Sequence, residues 1–301
     1  MHVSECYGPG KFGLSFELFP PKTADGERAL FRHVSELARF EPNLITCTYG
    51  AGGSTRNKTL EIVMRVHQEF GCSVAAHLTC VGSTVEQLRG FLVQAEARGV
   101  ENVVALRGDP PQGATRFQAV TGGFSHANEL VTLIRNEFPQ LGIAVAGYPE
   151  KHQEAPSFDV DLENLKRKVD CGADAVFTQL FYDNHDFFRF RERAKRVGVD
   201  VPIVPGILPV TNLAQVRRIT ALCGAHFPAG LENNLQAQTD HSDAQFEVGV
   251  EFATRQVQEL MDQGVPGIHF YVLNRHFHIA EIMERIKPAL KRNEGAVPAE
   301  Q

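Results

Sequence analysis

No stretch of the sequence approaches the roughly 18 consecutive apolar residues that a membrane-spanning helix needs. Its six cysteines, Cys6, Cys47, Cys72, Cys80, Cys171 and Cys223, include no C-x-x-C pair, which argues against zinc ribbons and thioredoxin-type chemistry. Cys47, Cys72 and Cys80 fall in or near apolar runs, where reduced cysteine acts as a small hydrophobe, so a cytoplasmic location is expected. His77 and His152 have no H-x-H, H-E-x-x-H or carboxylate cluster around them, so no metal is expected. Basic charge is not in excess either. Thirty Lys and Arg against 36 Asp and Glu leave a formal net charge of −6, with no field to draw nucleic acid or an anionic membrane. Met1–Lys11 is neither basic nor apolar enough for a signal peptide. Gly8 to Gly13 spell G-x-G-x-x-G, but no strand precedes them and one follows, the reverse of a dinucleotide fingerprint. Residues 1–12 are therefore expected to be a flexible leader.

What the sequence does contain is a repeated alternation. Short β-like runs at Gly13–Phe19, Leu44–Tyr49, Ser73–Leu78, Asn102–Leu106, Ile143–Tyr148, Ala175–Leu180, Pro202–Leu208 and Gly267–Leu273 are each followed by helical spacing. The helices are expected near Asp25–Phe40, Arg56–Phe70, Thr84–Arg98, Ser125–Phe138, Asp159–Cys171, Asn184–Arg196, Asn212–Leu222, Asp243–Gln263 and His276–Ile286. Residues Gly224–Ser242 read as an insertion, and Gln112–Gly123 as a long loop of the kind that is functional or mobile. Strands alternating with helices imply a parallel sheet, and right-handed crossovers would close eight of them into a (β/α)₈ TIM barrel. A doubly wound open sheet is the main competitor, but it would need a phosphate-binding glycine turn that the sequence lacks. The expectation is a single α/β domain over 13–290 with its active site at the C-terminal ends of the strands, and a polar tail over 291–301.

Those strand ends are polar. In Phe16-Glu17-Leu18-Phe19-Pro20-Pro21 a lone carboxylate sits among hydrophobics, and two prolines stop the strand just beyond it. Burial there would favour a protonated carboxyl able to act as a general acid, although a salt-bridged strand end explains the same residues. The other ends offer Thr46, Thr48 and Tyr49; His77 and Thr79; Arg107 and Asp109; Tyr148, Glu150 and His152; Thr178 and Gln179; and Tyr271, Asn274 and Arg275. Convergence of polar groups on one face is what a binding site requires. On the helix after the fifth strand, Asp161, Asn164 and Lys168 share a face with Arg167 beside it, a set suited to ribose and diphosphate or simply to solvent.

Taken in order, FELFPP (Phe16–Pro21), TYGA (Thr48–Ala51), HLTC (His77–Cys80), ALRGD (Ala105–Asp109), YPEKH (Tyr148–His152), LKRKVD (Leu165–Asp170), Thr178-Gln179, PGILPV (Pro205–Val210) and HFYVLNR (His269–Arg275) make a specific set. Together they resemble the 5,10-methylenetetrahydrofolate reductase family, in the bacterial form without an appended regulatory domain. The resemblance implies a homo-oligomeric (β/α)₈ flavoprotein with non-covalent FAD. It would reduce 5,10-methylenetetrahydrofolate to 5-methyltetrahydrofolate for methionine synthesis, using NADH or NADPH in a ping-pong reaction. Glu17 matches the family's general acid, and Asp109 the carboxylate near flavin and pterin. Gln179, Gln215 and Arg275 match substrate contacts. Thr48, Tyr49, Ala51, His77, Arg107, Gly108, Asp109, Ala127, Tyr148, His152, Ala155, Asp161, Asn164, Arg167 and Lys168 match the FAD site. Ile219 stands where a stacking phenylalanine is found in enterobacterial members, and His126 where a tyrosine is expected. The competing reading is another FAD-dependent barrel, such as an imino or amino acid dehydrogenase, which would lack Glu17 beside Asp109 and Gln179.

Overall fold

A strand buried on both faces belongs to a sheet covered on both sides, and all six residues of β1 (Gly13–Leu18) are buried. The computed structural model describes residues 1–8, 10–49, 56–110, 113, 116–210, 212–238 and 242–295. Further strands are β2 (Leu44–Cys47), β3 (Ser73–Thr79), β4 (Asn102–Leu106), β5 (Gly142–Gly147), β6 (Ala175–Thr178), β7 (Ile203–Val204), β8 (Gly206–Ile207) and β9 (Gly267–Tyr271). All pairings are parallel, in the order β7-β6-β5-β4-β3-β2-β1-β9-β8. Strands β7 and β8 flank Pro205, which has no N–H to give a ladder. One half pairs with β6 and the other with β9, while the Pro205 carbonyl accepts the His269 N–H at 3.0 Å. The expected seventh strand is thus split at its proline, and the split strand is the seam that closes the (β/α)₈ barrel.

The helices are α1 (Val3–Cys6), α2 (Ala24–Ala38), α3 (Arg56–Phe70), α4 (Val85–Ala97), α5 (Ala127–Glu137), α6 (Phe158–Asp170), α7 (Asn184–Arg196), α8 (Leu213–Cys223), α9 (Ala229–Gln236), α10 (Ser242–Asp262) and α11 (Phe277–Gly295). Their starts follow capping chemistry: Thr23, Thr84, Ser157 and Asn212 each accept a first-turn N–H. None of them, among the described residues, is long and apolar enough to cross a membrane.

Register divides the hydrophobic residues into two cores. Outward-facing residues such as Phe16, Ile45, Val103 and Ile143 pack against the helix ring. Inward-facing Leu44, Ala75, Val104, Ala144, Ala175, Phe177 and Val204 fill the lumen together with Val3, Cys6 and Tyr7. That last group corrects the expected flexible leader. Val3 and Cys6 lie on the buried side of α1, and Tyr7 follows it into the barrel floor. Asn102, at the start of β4, accepts the Val3 N–H at 2.7 Å and donates to the Met1 carbonyl at 3.0 Å. The expected insertion contains α9, whose Leu231 and Leu235 join an apolar cluster with Leu208 and Val216. At the other terminus α11 continues to Gly295, past the expected boundary at 290.

Candidate active site

Alternation along β1 aims Ser15 and Glu17 into the lumen while Phe16 and Leu18 face the helices. Register then sets Glu17 level with Thr46 on β2 and Tyr271 on β9. Glu17 is 7 % exposed. Its Oε2 lies 3.4 Å from Nε2 of His77, which β3 supplies, and 3.4 Å from Nε2 of His269, from β9. His77 also meets the Thr46 hydroxyl at 3.4 Å. Among the described residues no lysine or arginine pairs with this carboxylate and no hydrogen bond engages Oε1. Burial pulls the His77 imidazole below its ordinary value; the Glu17 charge opposes this and His269 adds to it. A neutral ring beside the carboxyl is the result. Among the described residues the salt-bridged alternative for Glu17 therefore has only two histidines to offer, one of them held neutral.

A second group gathers around the ends of β4 and β5. Arg107 makes a two-pronged ion pair with Glu154 and lies 4.9 Å from the centre of the Phe117 ring. Gly108 has φ +87°, and a Cβ there would sit 2.7 Å from Val81 and 3.1 Å from Thr79, so only glycine fits. The buried Thr79 hydroxyl beside it has no hydrogen-bond partner among the described residues. Asp109 is exposed, and its charge reaches both Arg107 and Tyr148. The Tyr148 ring meets His152 edge-on at 4.6 Å. Asp161, in the first turn of α6, accepts the His152 N–H at 2.9 Å. Lys168 lies further along α6, and its Nζ donates to the Ala146 carbonyl. Burial lowers the Lys168 ammonium from 10.5 to about 8, with Asp161 opposing. Ala155 is buried nearby, its carbonyl accepting from Lys151 at 2.6 Å.

Tyr271 joins the two groups. Burial pushes its phenol up, and the charges of Glu17 and Tyr148 push the same way. Its hydroxyl donates to the Thr178 carbonyl at 2.7 Å, while the Thr178 hydroxyl accepts the Gly206 N–H at 2.9 Å. Gln179 follows directly and is half-buried. Thr48 and Tyr49 follow directly on β2, with the Thr48 carbonyl held by the Thr59 hydroxyl at 2.8 Å. Asn164, Arg167, Gln215 and Arg275 are exposed and outside these direct contacts, and Ala127 opens α5. Ala51 lies outside the described residues. Ile219 packs in the apolar cluster with Leu180 and Leu208.

Sequence reasoning named neither Ser15 nor His269 as a site residue, nor Glu154. The signal for the first two was present: Ser15 lies two residues from Glu17 and His269 two from Tyr271, so strand alternation puts each pair on one face. Glu154 lies in a loop, where no period applies.

A family model described as Methylenetetrahydrofolate reductase matches residues 3–287. Methylenetetrahydrofolate reductase (NADH) 1 of Arabidopsis thaliana is 39% identical over 275 residues, covering 88% of this chain and 46% of that protein. The chain thus spans about half the length of the plant relatives it matches. The 5,10-methylenetetrahydrofolate reductase of Escherichia coli (strain K12) is 38% identical over 266 residues, 88% of each chain. Among solved structures, an uncharacterized protein from Clostridium thermocellum that binds two copies of 5-methyl-5,6,7,8-tetrahydrofolic acid superposes with TM-score 0.65 at 13% identity. It covers 96% of this chain and 99% of its own. Dihydropteroate synthase from Xanthomonas albilineans in complex with 7,8-dihydropteroate gives 0.55 at 13%, covering 98% of each. At that identity the likeness is one of fold.

Proposed function

The chain belongs to the methylenetetrahydrofolate reductase family, and from that premise we propose that it reduces 5,10-methylenetetrahydrofolate to 5-methyltetrahydrofolate with NADH or NADPH, using bound FAD. The observation that carries this reading is Glu17. It is a carboxyl buried at the inner end of a polar mouth, with the Nε2 atoms of two histidines 3.4 Å from one oxygen and no hydrogen bond to the other among the described residues. The folate's methylene bridge accepts hydride only after the five-membered ring opens to an iminium cation. Opening leaves a proton to be placed on the departing ring nitrogen. Glu17 supplies it from Oε1 while Oε2 stays anchored.

The donor set around α6 suits FAD. Gly108 presents bare backbone and Thr79 a buried hydroxyl in want of a partner. Asp161 and Asn164 would hold ribose, and Arg167 and Lys168 the diphosphate. Thr48, Tyr49, Ala51, His77, Arg107, Gly108, Asp109, Ala127, Tyr148, His152 and Ala155 would complete the lining. Bound there, FAD would supply the two-electron chemistry that links nicotinamide oxidation to folate reduction. Asp109 would set negative charge against the cation that develops as the ring opens. Gln179 and Gln215 would orient substrate, and Arg275 would pair with a folate carboxylate. The chain would act as a cytoplasmic homo-oligomer whose product feeds methionine synthesis.

A visible spectrum under anaerobic titration tests the reading. The purified protein is expected to be yellow, to bleach with NADH or NADPH, and to recolour on addition of methylenetetrahydrofolate. A colourless protein would overturn it, as would one recoloured by imino acids and not by the folate.

A further inference from the structure

Beneath Glu17 the lumen carries a line of polar groups running through His269 and Ser15 to Tyr7. Tyr7, brought into the barrel floor by α1, is 2 % exposed, and its hydroxyl donates to the Ser15 Oγ at 2.6 Å. No other acceptor engages that phenol among the described residues, so its proton is committed to Ser15. The Ser15 hydroxyl then has its own proton to place. His269 Nδ1 lies 2.8 Å away, whereas the Ile268 carbonyl is at 3.5 Å, the outer limit of a useful bond. With Nδ1 accepting, the neutral ring carries its proton on Nε2, the nitrogen 3.4 Å from Glu17 Oε2. The ring is clamped in place by Phe177, stacked at 4.4 Å with an interplanar angle of 3°. Tyr7 braces Phe177 as well, edge-on at 5.8 Å.

We propose that Tyr7 is a positioning residue for folate reduction: through Ser15 it fixes which nitrogen of His269 bears the proton, and so directs the Glu17 proton to Oε1 and the mouth. This rests on the reading of Glu17 as the acid. Without the phenol hydroxyl, Ser15 is free to accept from Nδ1–H. The Nε2 lone pair then faces Glu17 and draws the carboxyl proton onto Oε2, away from substrate. Tyr7 touches Ser15 through its hydroxyl and Phe177 through its ring, so its effect on Glu17 travels through these two residues and His269.

The test compares Tyr7→Phe, which keeps the ring that packs on Phe177, with Ser15→Ala, the double variant and Glu17→Gln, all as holoenzyme. In Tyr7→Phe, flavin reduction by NADH or NADPH is expected to be unchanged. Reoxidation of the reduced enzyme by methylenetetrahydrofolate is expected to slow by about tenfold, the net worth of one buried hydrogen bond. Ser15→Ala should slow the same step comparably, and the double variant no further, because both act on one proton position. Independently of activity, ¹⁵N-histidine NMR, with His269 assigned by its loss in His269→Asn, should show Nδ1 unprotonated in the parent and protonated in Tyr7→Phe. An unchanged His269 signal with an unchanged folate step would overturn the proposal. So would equal slowing of both half-reactions, or effects that multiply in the double variant. Glu17→Gln separates the two ideas: if it reduces folate normally, the acid assignment itself fails. If it is inactive in that step while Tyr7→Phe is indistinguishable from the parent, only the role of Tyr7 fails.

Discussion

At the N-terminal end of the lumen stand Val3, Cys6, Tyr7, Leu44, Ala75 and Val104, packed and apolar. Nearer the C-terminal ends of the strands stand Glu17, Thr46, His77 and Thr79, buried and polar. The lower end is closed by α1 and stapled by Asn102. The upper end is lined by loops, bare glycine backbone and unengaged polar atoms. The difference shows how a barrel separates its tasks. Strand alternation gives every inward residue the same frame, and depth along the strand decides whether it closes the lumen or serves a ligand.

Substitutions can break that division, the largest effect coming at the seam. A Cβ on Gly206 would lie 2.2 Å from the Thr178 carbonyl and 2.8 Å from the Tyr271 ring. Gly206→Ala is expected to cost about 3 kcal/mol, read as a lower denaturant midpoint. At the floor, Val3→Ala is expected to lose about 2 kcal/mol of stability through the cavity it leaves, with FAD affinity unchanged. At the mouth the pattern inverts: Arg167→Ala should leave the denaturation midpoint of the flavin-free protein unchanged, because Arg167 is exposed. It should weaken FAD binding by about tenfold, measured by flavin fluorescence, and more so at low salt. The smallest effect is one of pH. The Lys168 ammonium keeps its proton below about 8 and loses it above. A diphosphate needs that proton, so FAD affinity should be highest below pH 8 and fall by a few-fold, in the ~twofold to fivefold range, as pH rises past it. Lys168→Arg, charged throughout, should flatten the dependence.

Much of this was legible in the residues. Short β-like runs between helical stretches sufficed for the barrel, and polar strand ends pointed to the mouth that carries Glu17, Arg107 and Tyr148. Two things escaped for physical reasons. The floor was hidden because Gly8, Pro9 and Gly10 draw the eye to a break, although Val3, Cys6 and Tyr7 already show the three- and four-residue spacing of a buried helical face. The seam was hidden because Pro205 reads as one residue within a strand, whereas its missing N–H divides the strand between two neighbours. The partners of the site residues were harder still. Contacts such as Arg107 with Glu154 span 47 residues of chain and have no local pattern.

Glu17→Gln under anaerobic stopped flow reaches the central claim most directly, because it removes one proton and little else. Flavin reduction by NADH or NADPH is expected at the parent's rate, and reoxidation by methylenetetrahydrofolate at a rate about a thousandfold lower. Reoxidation at the parent's rate would contradict the assignment of Glu17 as the proton donor.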